Sequence, residues 1–171
     1  FDFKQILPPC ALPPGRIAWR GANLANTLLT ARSAICPLPT LTQAAPQGGF
    51  LNAVTDSDGL LRRVPLVVNY HSTAYPALAL AVLQQAQRNP PLLLQGSAGQ
   101  LEGIQLGNQF LPTDTQGQVL LHYRAPDQIP TYSATALLNG SVPTPALQGK
   151  LVFVGLTAAG LKDTHTTPTS N

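Results

Sequence analysis

The sequence is poor in charged residues. Only 10% of its 171 residues are Asp, Glu, Lys or Arg, whereas an average soluble protein has about a quarter. Six of its seven acidic residues are aspartates, and Glu102 is the one glutamate. General acid–base catalysis needs positioned proton donors and acceptors, so this shortage of carboxylates argues against an enzyme and we predict no catalytic residue.

The sequence has no cluster of basic residues. Its net charge is +3, but the ten Lys and Arg residues are scattered and the longest basic run is Arg62-Arg63. Binding to nucleic acid through phosphates typically takes about six or more grouped cations. We therefore expect no nucleic-acid partner.

Cysteine and histidine are also scarce and lack metal-binding spacing. Cys10 and Cys36 do not form a CxxC pair, and His71, His122 and His165 lie far apart. We expect neither a metal site nor a cofactor. The two cysteines either form one disulfide, closing a loop of about 25 residues, or remain thiols; the sequence leaves both open.

No hydrophobic run reaches the ~18 residues that a membrane helix needs. The chain starts at Phe1 and shows no signal peptide. We expect a fragment or a processed product, with any membrane anchor outside this sequence. The 44% of hydrophobic residues is enough for one domain with one core.

The first third of the sequence predicts few regular elements. Four prolines make residues 1–15 irregular, and residues 16–19 read as a short strand. Residues 23–34 are rich in Ala and Leu, which predicts a helix capped by Asn23. Prolines at 37 and 39 end that helix.

Residues 48–70 predict a β-hairpin. Two apolar runs flank the turn sequence DSDG at 56–59, in which Asp side chains cap the backbone and Gly59 takes a positive φ. Pro65 suggests an edge or a bulge. Residues 75–88 then predict a helix that begins after Ser72 or Thr73. Leu78, Val82 and Leu83 would form its apolar face, and the glutamines at 84–87 would lie on the opposite face.

The second half predicts more strands and one short helix. Residues 101–112 form two strands around Gly107-Asn108, residues 119–123 a further strand, and residues 133–139 a helix that ends at Gly140. Residues 150–155 are almost continuously apolar, which is typical of a buried central strand. Together the pattern predicts a single α/β domain with a central mixed β-sheet flanked by helices.

Small residues after that last predicted strand suggest a ligand loop. Ligands of open α/β sheets bind beyond the carboxyl ends of strands, and Gly155 and Gly160 punctuate this segment. It is not a phosphate loop, because Leu161 stands where Lys is required and Asp163 would repel phosphate. A structural turn or another ligand remains open.

The Asp56/Asp58 pair does not form a calcium loop. The fifth and twelfth positions of such a loop hold Leu60 and Val67, which offer no side-chain oxygen. A hairpin turn is favoured, and a salt bridge to Arg62 or Arg63 is the next interpretation. Ser97 lies in a GSAG sequence, not in the GxSxG elbow of a hydrolase.

Five stretches resemble the second CHASE family, the cyclase/histidine-kinase-associated sensory extracellular domains. They are GFLNAVTDSDGLLRRVPLVV (49–68), YPALALAVLQ (75–84), LPTDTQGQVLLHYRAP (111–126), TYSATALLNGSVP (131–143) and GKLVFVGLTAAGLKDTHTTP (149–168). Their order holds across residues 37–168, whereas residues 1–36 form a poorly matched lead-in. The strongest positions of the family fall on Asp58, Gly59, Arg62, Arg63, Gly155, Thr157, Asp163 and Pro168.

The resemblance implies a sensory domain on the periplasmic face of a bacterial inner membrane. Such domains are tethered by membrane helices, which this sequence lacks, and are joined to a cytoplasmic effector: a nucleotide cyclase, a kinase or a diguanylate cyclase. A small-molecule ligand of undefined identity is expected. Candidate ligand-binding residues are Asp58, Arg62, Arg63, Gly155, Thr157, Ala158, Lys162 and Asp163.

Three functions compete for this sequence. The first is a ligand sensor, and the second is a non-catalytic module that forms a homodimer or docks a periplasmic partner. The third is an extracytoplasmic hydrolase, which would require a Ser or His constellation that the sequence does not assemble.

Overall fold

The computed structural model describes residues 1, 3, 12–13, 15–124, 128–156 and 165–168. The chain divides into two compact units, Phe1–Leu121 and His122–Asn171. In chain order the described elements are β1 (Ile17–Arg20), α1 (Pro39–Ala44), β2 (Arg63–Pro65), β3 (Val67–Tyr70), β4 (Thr73–Pro76), α2 (Leu78–Ala86), β5 (Leu92–Ser97), β6 (Gln100–Leu106), β7 (Gln109–Pro112), β8 (Gln118–Leu120), α3 (Ala134–Leu138) and α4 (Thr144–Leu147).

The main sheet has the strand order β1-β5-β6-β7 and is mixed. β1 runs parallel to β5, whereas β5, β6 and β7 are joined as antiparallel neighbours. β6 and β7 form the hairpin predicted around Gly107-Asn108, with Gly107 at φ +58°. The α/β class with a mixed sheet is confirmed.

The core lies on this sheet and is built from branched apolar side chains. Leu94 and Ile104 are directly paired across β5 and β6, and both are fully buried. Leu80 of α2 belongs to the same cluster. The other buried members are Leu28, Val67, Ala74, Leu92, Leu101 and Leu106.

Two small antiparallel ribbons complete the first unit. β3 pairs with β4 through a tight turn at His71 and Ser72, which both have positive φ. β2 pairs instead with β8, far along the chain. The predicted pairing of the two segments that flank the DSDG turn is therefore wrong. The turn itself forms: Gly59 has φ +82°, and its amide donates to the Asp56 carbonyl.

The helix predicted over residues 23–34 is wrong. Only Ala25–Thr27 form a 3-10 turn, with the Ala25 amide bound to the Asn23 side chain. From Leu28 the chain is extended, and backbone hydrogen bonds join Leu29 and Ala31 to Asn69 of β3. Pairing with β3 and burial of Leu28 override the helix propensity of this Ala/Leu-rich run.

The helix predicted over residues 75–88 is shorter and turned differently. α2 begins only at Leu78, because residues 73–76 pair as β4. Its buried residues are Leu80, Ala81 and Gln84, whereas Leu83 is exposed. The buried Gln84 donates its side-chain amide to the carbonyls of Arg16 and Pro90, which ties the helix to the end of the β1–β5 pair where both strands begin.

The second unit contains the predicted helix but not the predicted strand. Ser133 caps α3 by accepting from the Ala136 amide, and Gly140 follows at φ +76°. Residues 150–155, expected as a buried central strand, are unpaired and exposed; Val154 is 94% exposed. The apolar run alone does not supply the neighbouring strands that would satisfy its backbone.

Candidate functional site

The DSDG turn carries a compact group of ion pairs. Arg62 donates one bond to Asp56 at 2.8 Å and two to Asp58, at 3.0 and 2.8 Å. The Leu60 amide also donates to Asp58 at 3.1 Å. Arg62 is held close because it follows the turn by only a few residues, and its planar guanidinium matches a carboxylate in a two-bond geometry.

These contacts shift the pKa values of Asp58 and Arg62, and both shifts favour the charged form of the side chain. Hydrogen bonds from Arg62, and then from the Leu60 amide, lower the pKa of Asp58 below its ordinary value of 3.8. Hydrogen bonds to Asp58, and then to Asp56, raise the pKa of Arg62. The salt-bridge interpretation of this turn is therefore confirmed for Arg62. The carboxylates already have a cationic partner, which disfavours a cation site here.

Arg63 belongs to the neighbouring ribbon. It starts β2 and lies 3.9 Å from Asp114, the residue that organises the turn before β8. The other Asp114 oxygen accepts from the amides of Gln116 and Gln118. Asp58, Arg62 and Arg63 thus lie together on one ribbon end, and their role in ligand binding stays a prediction.

The other half of the predicted site is only partly described. Gly155 lies in the exposed run of the second unit and has no atom within 4 Å of where a Cβ would stand. Thr157, Ala158, Lys162 and Asp163 lie outside the described residues.

Groups that catalysis would require are not gathered in the described part of the chain. His122 and His165 are exposed. His71 stands edge-on to Tyr70 at a centroid distance of 4.3 Å, and Ser97 donates its hydroxyl to Glu102. Over residues 15–124, 128–156 and 165–168, no three His, Cys, Asp or Glu residues could hold a metal ion.

Cys36 forms a disulfide. The one other cysteine in the sequence is Cys10, which lies outside the described residues. Disulfides persist in oxidising compartments, so this bond fits a domain exposed outside the cytoplasm.

An aromatic cavity in the first unit was not predicted. Its volume is about 300 Å³, and it is half open to solvent. The described residues that line it are Phe1, Leu12, Pro13, Ala34, Ile35, Pro37, Leu41, Thr42, Ala45, Pro46, Gln47, Gly48, Gly49, Phe50 and Tyr75. We call this space the aromatic cavity.

Backbone pairing fixes the aromatic wall of the cavity. The Phe50 amide donates to the Pro76 carbonyl, and the Leu78 amide donates to the Phe50 carbonyl. This approach requires Gly49, because a Cβ there would lie 2.5 Å from the Leu78 backbone. Phe50 is thereby held against the start of α2.

The ring of Phe1 lies among three other aromatic rings. Its centroid is 6.0 Å from that of Phe50 and 5.3 Å from those of Tyr70 and Tyr75. The Asn52 amide donates to the Phe1 carbonyl at 2.6 Å. The sequence signal for this wall is the GFLN block at 49–52, which belongs both to the family resemblance and to the predicted hairpin at 48–70.

The comparison with known families is decisive. A family model described as the CHASE2 domain matches residues 6–171. The chain belongs to the CHASE2 family. The match includes most of the lead-in for which the sequence resemblance was weak.

CHASE2 domains are extracellular sensory domains of signalling proteins, and they are non-catalytic. No curated protein and no solved structure matches this CHASE2 domain. Within the described part of the domain, every helix is too short or too polar to cross a bilayer.

Proposed function

We propose that this CHASE2 domain is the periplasmic input domain of a bacterial membrane-anchored signalling protein and that it binds a small ligand. The signal passes to a cytoplasmic effector in the same full-length chain, a nucleotide cyclase, kinase or diguanylate cyclase. A ligand produces such a signal only if it binds two conformations with different affinity. The observation that carries the ligand part is the aromatic cavity, a half-open space with an ordered aromatic wall.

Three further observations support the compartment. Cys36 is disulfide-bonded, and the family is extracellular. The sequence is also low in charged residues. None of these observations identifies the effector, which the resemblance to the family supplies as an expectation.

Reporter fusions to the full-length gene product test the compartment. Alkaline phosphatase joined after Asn171 should be active, because it folds only outside the cytoplasm, and β-galactosidase at the same point should be inactive. The reverse pattern would contradict the proposal. A fusion at the far end of the effector serves as the control and should show the opposite pattern.

A thermal-shift screen of envelope metabolites tests ligand binding. A ligand present at about 100 times its Kd should stabilise the domain by ~2.7 kcal/mol. Ligands that stabilise the wild type but not a variant with a filled cavity would support the proposal. A complete absence of shifts would count against it.

A second candidate function is a dimerisation or partner-docking module, and the exposed apolar run at 151–156 favours it. Five of its residues are apolar side chains at least half exposed, and such patches commonly mark interaction sites. Sedimentation velocity at several concentrations should show reversible self-association of the domain. If both the wild type and Val152→Thr sediment as monomers at every concentration, self-association is excluded as the role of the exposed run.

A further inference from the structure

The described side chains that line the aromatic cavity carry no charge at neutral pH. Among the residues that the structure describes, the lining includes no Asp, Glu, Lys, Arg or His, and the ammonium of Phe1 donates to Asn52 Oδ1 at 2.9 Å. An ionised ligand entering such a space would lose hydration without gaining an opposite charge, which is strongly unfavourable. The described side chains of the lining therefore favour an uncharged ligand.

The walls favour a flat ligand. Phe1, Phe50 and Tyr75 line the cavity, and the ring centroid of Phe1 lies 6.0 Å from that of Phe50 and 5.3 Å from that of Tyr75. Aromatic rings gain energy from offset or edge-to-face contacts beyond simple burial. A volume of about 300 Å³ lies at the lower end of small-molecule pockets, which suits one or two fused rings.

Two polar side chains of the described lining make no hydrogen bond with a described residue. No described residue hydrogen-bonds the Tyr75 hydroxyl or the Gln47 side-chain amide, although both residues line the cavity. The third polar side chain, Thr42, instead donates to the Leu38 carbonyl. A phenol and an amide can each donate and accept, so they match one hydroxyl, N–H or carbonyl on a ligand.

The Tyr75 hydroxyl is a reliable donor. Burial, and then the neighbouring Tyr70, raise the pKa of Tyr75 above its ordinary value of 10.0. The phenol therefore keeps its proton at neutral pH and stays uncharged, like the other described side chains of the lining.

We propose that the aromatic cavity binds a small, flat, uncharged molecule with one hydrogen-bonding group, of the size of an indole or a substituted phenol. This inference rests on the proposed sensory function, because it names the ligand class of that sensor. Tyr75 or Gln47 would bind the polar group, and Phe1 and Phe50 would contact the ring.

Calorimetric titration of the domain with indole and 4-methylphenol is the direct test. Indole-3-carboxylate and 4-methylbenzoate serve as charged probes of similar shape. The neutral probes should bind at least about tenfold more tightly than the charged ones. Equal binding of both kinds, or no binding of the neutral probes, would overturn the proposal.

Two pairs of variants locate the binding. Ala45→Trp fills the cavity from an exposed position in its lining, and Ala44→Trp places the same ring on an adjacent residue outside the lining. Tyr75→Phe removes only the lone hydroxyl, and Tyr132→Phe removes an exposed hydroxyl in the second unit. Circular dichroism and the Tm of each free variant establish that it is folded.

The expected result is specific to the first member of each pair. Ala45→Trp should weaken indole binding more than about tenfold. Tyr75→Phe should weaken binding of 4-methylphenol about threefold to tenfold and leave toluene binding unchanged. Ala44→Trp and Tyr132→Phe should bind like the wild type. If folded Ala45→Trp binds indole normally, the cavity is not the site and the proposal fails.

The outcome is separable from the proposed function. The reporter fusions read the compartment of the domain and do not depend on the ligand. A periplasmic domain that ignores neutral aromatic probes would overturn this inference while leaving the sensory proposal intact.

Discussion

Two short segments rich in valine and aromatic or aliphatic residues behave in opposite ways in this chain. The four residues of β3, Val67–Tyr70, are all buried. The run 151–154, LVFV, is exposed at every position, from 50% at Leu151 to 94% at Val154. By composition both are good strands.

The difference lies in what surrounds each segment. β3 has β4 on one side and the extended residues Leu29 and Ala31 on the other, so its backbone groups are bound on both edges. Val67 also packs beneath Leu28 and Gly117. The run at 151–154 has no described strand beside it. Strand propensity therefore becomes structure only where backbone partners and a covering layer are present.

The largest expected contrast is between core and exposed truncations. Leu94→Ala in β5 should lower the free energy of unfolding by about 2–5 kcal/mol, because it leaves a cavity in the packed cluster. Val154→Ala should change it by less than about 0.5 kcal/mol. Urea denaturation followed by the fluorescence of Trp19, the one tryptophan, measures both. Equal losses would show that residues 151–154 are buried in solution.

A pair of glycines sharpens the comparison. Gly117 has φ +79° and Gly140 has φ +76°, so an alanine at either costs about 1–2 kcal/mol of backbone strain. At Gly117 the new Cβ would also lie 2.8 Å from Val67, whereas nothing is within 4 Å at Gly140. Gly117→Ala should therefore cost about 1–3 kcal/mol more in unfolding free energy than Gly140→Ala.

The same denaturation assay decides this prediction. A similar loss for both glycine variants would mean that the buried contact at Gly117 relaxes freely. A larger loss at Gly140 would contradict the described packing of the first unit.

The ion pairs of the DSDG turn should make the first unit sensitive to acid. Because the pKa of Asp58 is lowered in the fold, its stabilising effect is present above its ordinary value of 3.8 and is lost as pH falls through the lower folded value. In Arg62→Met the pKa of Asp58, followed by NMR titration, should rise towards 3.8.

A matched control for that experiment is Arg63→Met, which removes the longer contact to Asp114. It should leave the pKa of Asp58 unchanged. A rise of the Asp58 pKa in this variant, or none in Arg62→Met, would refute the assigned pairing.

The smallest expected effect is on the exposed run itself. Val152→Thr with Val154→Thr should leave the free energy of unfolding within about 0.5 kcal/mol of the wild type. The two changes should nevertheless reduce any concentration-dependent association seen by sedimentation. A large loss of stability would show that this segment pairs within the monomer.

Local turn chemistry was predictable because its causes lie within a few residues. The Gly107-Asn108 hairpin, the Ser133-to-Gly140 helix and the DSDG turn all form where the sequence placed them. Each depends on short-range hydrogen bonds or on a glycine that tolerates positive φ. The Arg62 salt bridge has the same local origin.

Pairing between distant segments was not predictable. β2 joins β8 across more than fifty residues, and the run after Asn23 is extended because it meets β3. The aromatic cavity has the same origin, since Phe1, Phe50 and Tyr75 are far apart in sequence. The GFLN block was visible, but nothing in it revealed which rings it would meet.

The sequence by itself determined the family, the mixed α/β class and the tight turns, since composition, order of motifs and local hydrogen bonding suffice for these. Only the tertiary structure decided which apolar runs became strands and where a cavity formed. Both depend on which distant backbone and side-chain groups satisfy and cover one another, and that information is not local to any segment.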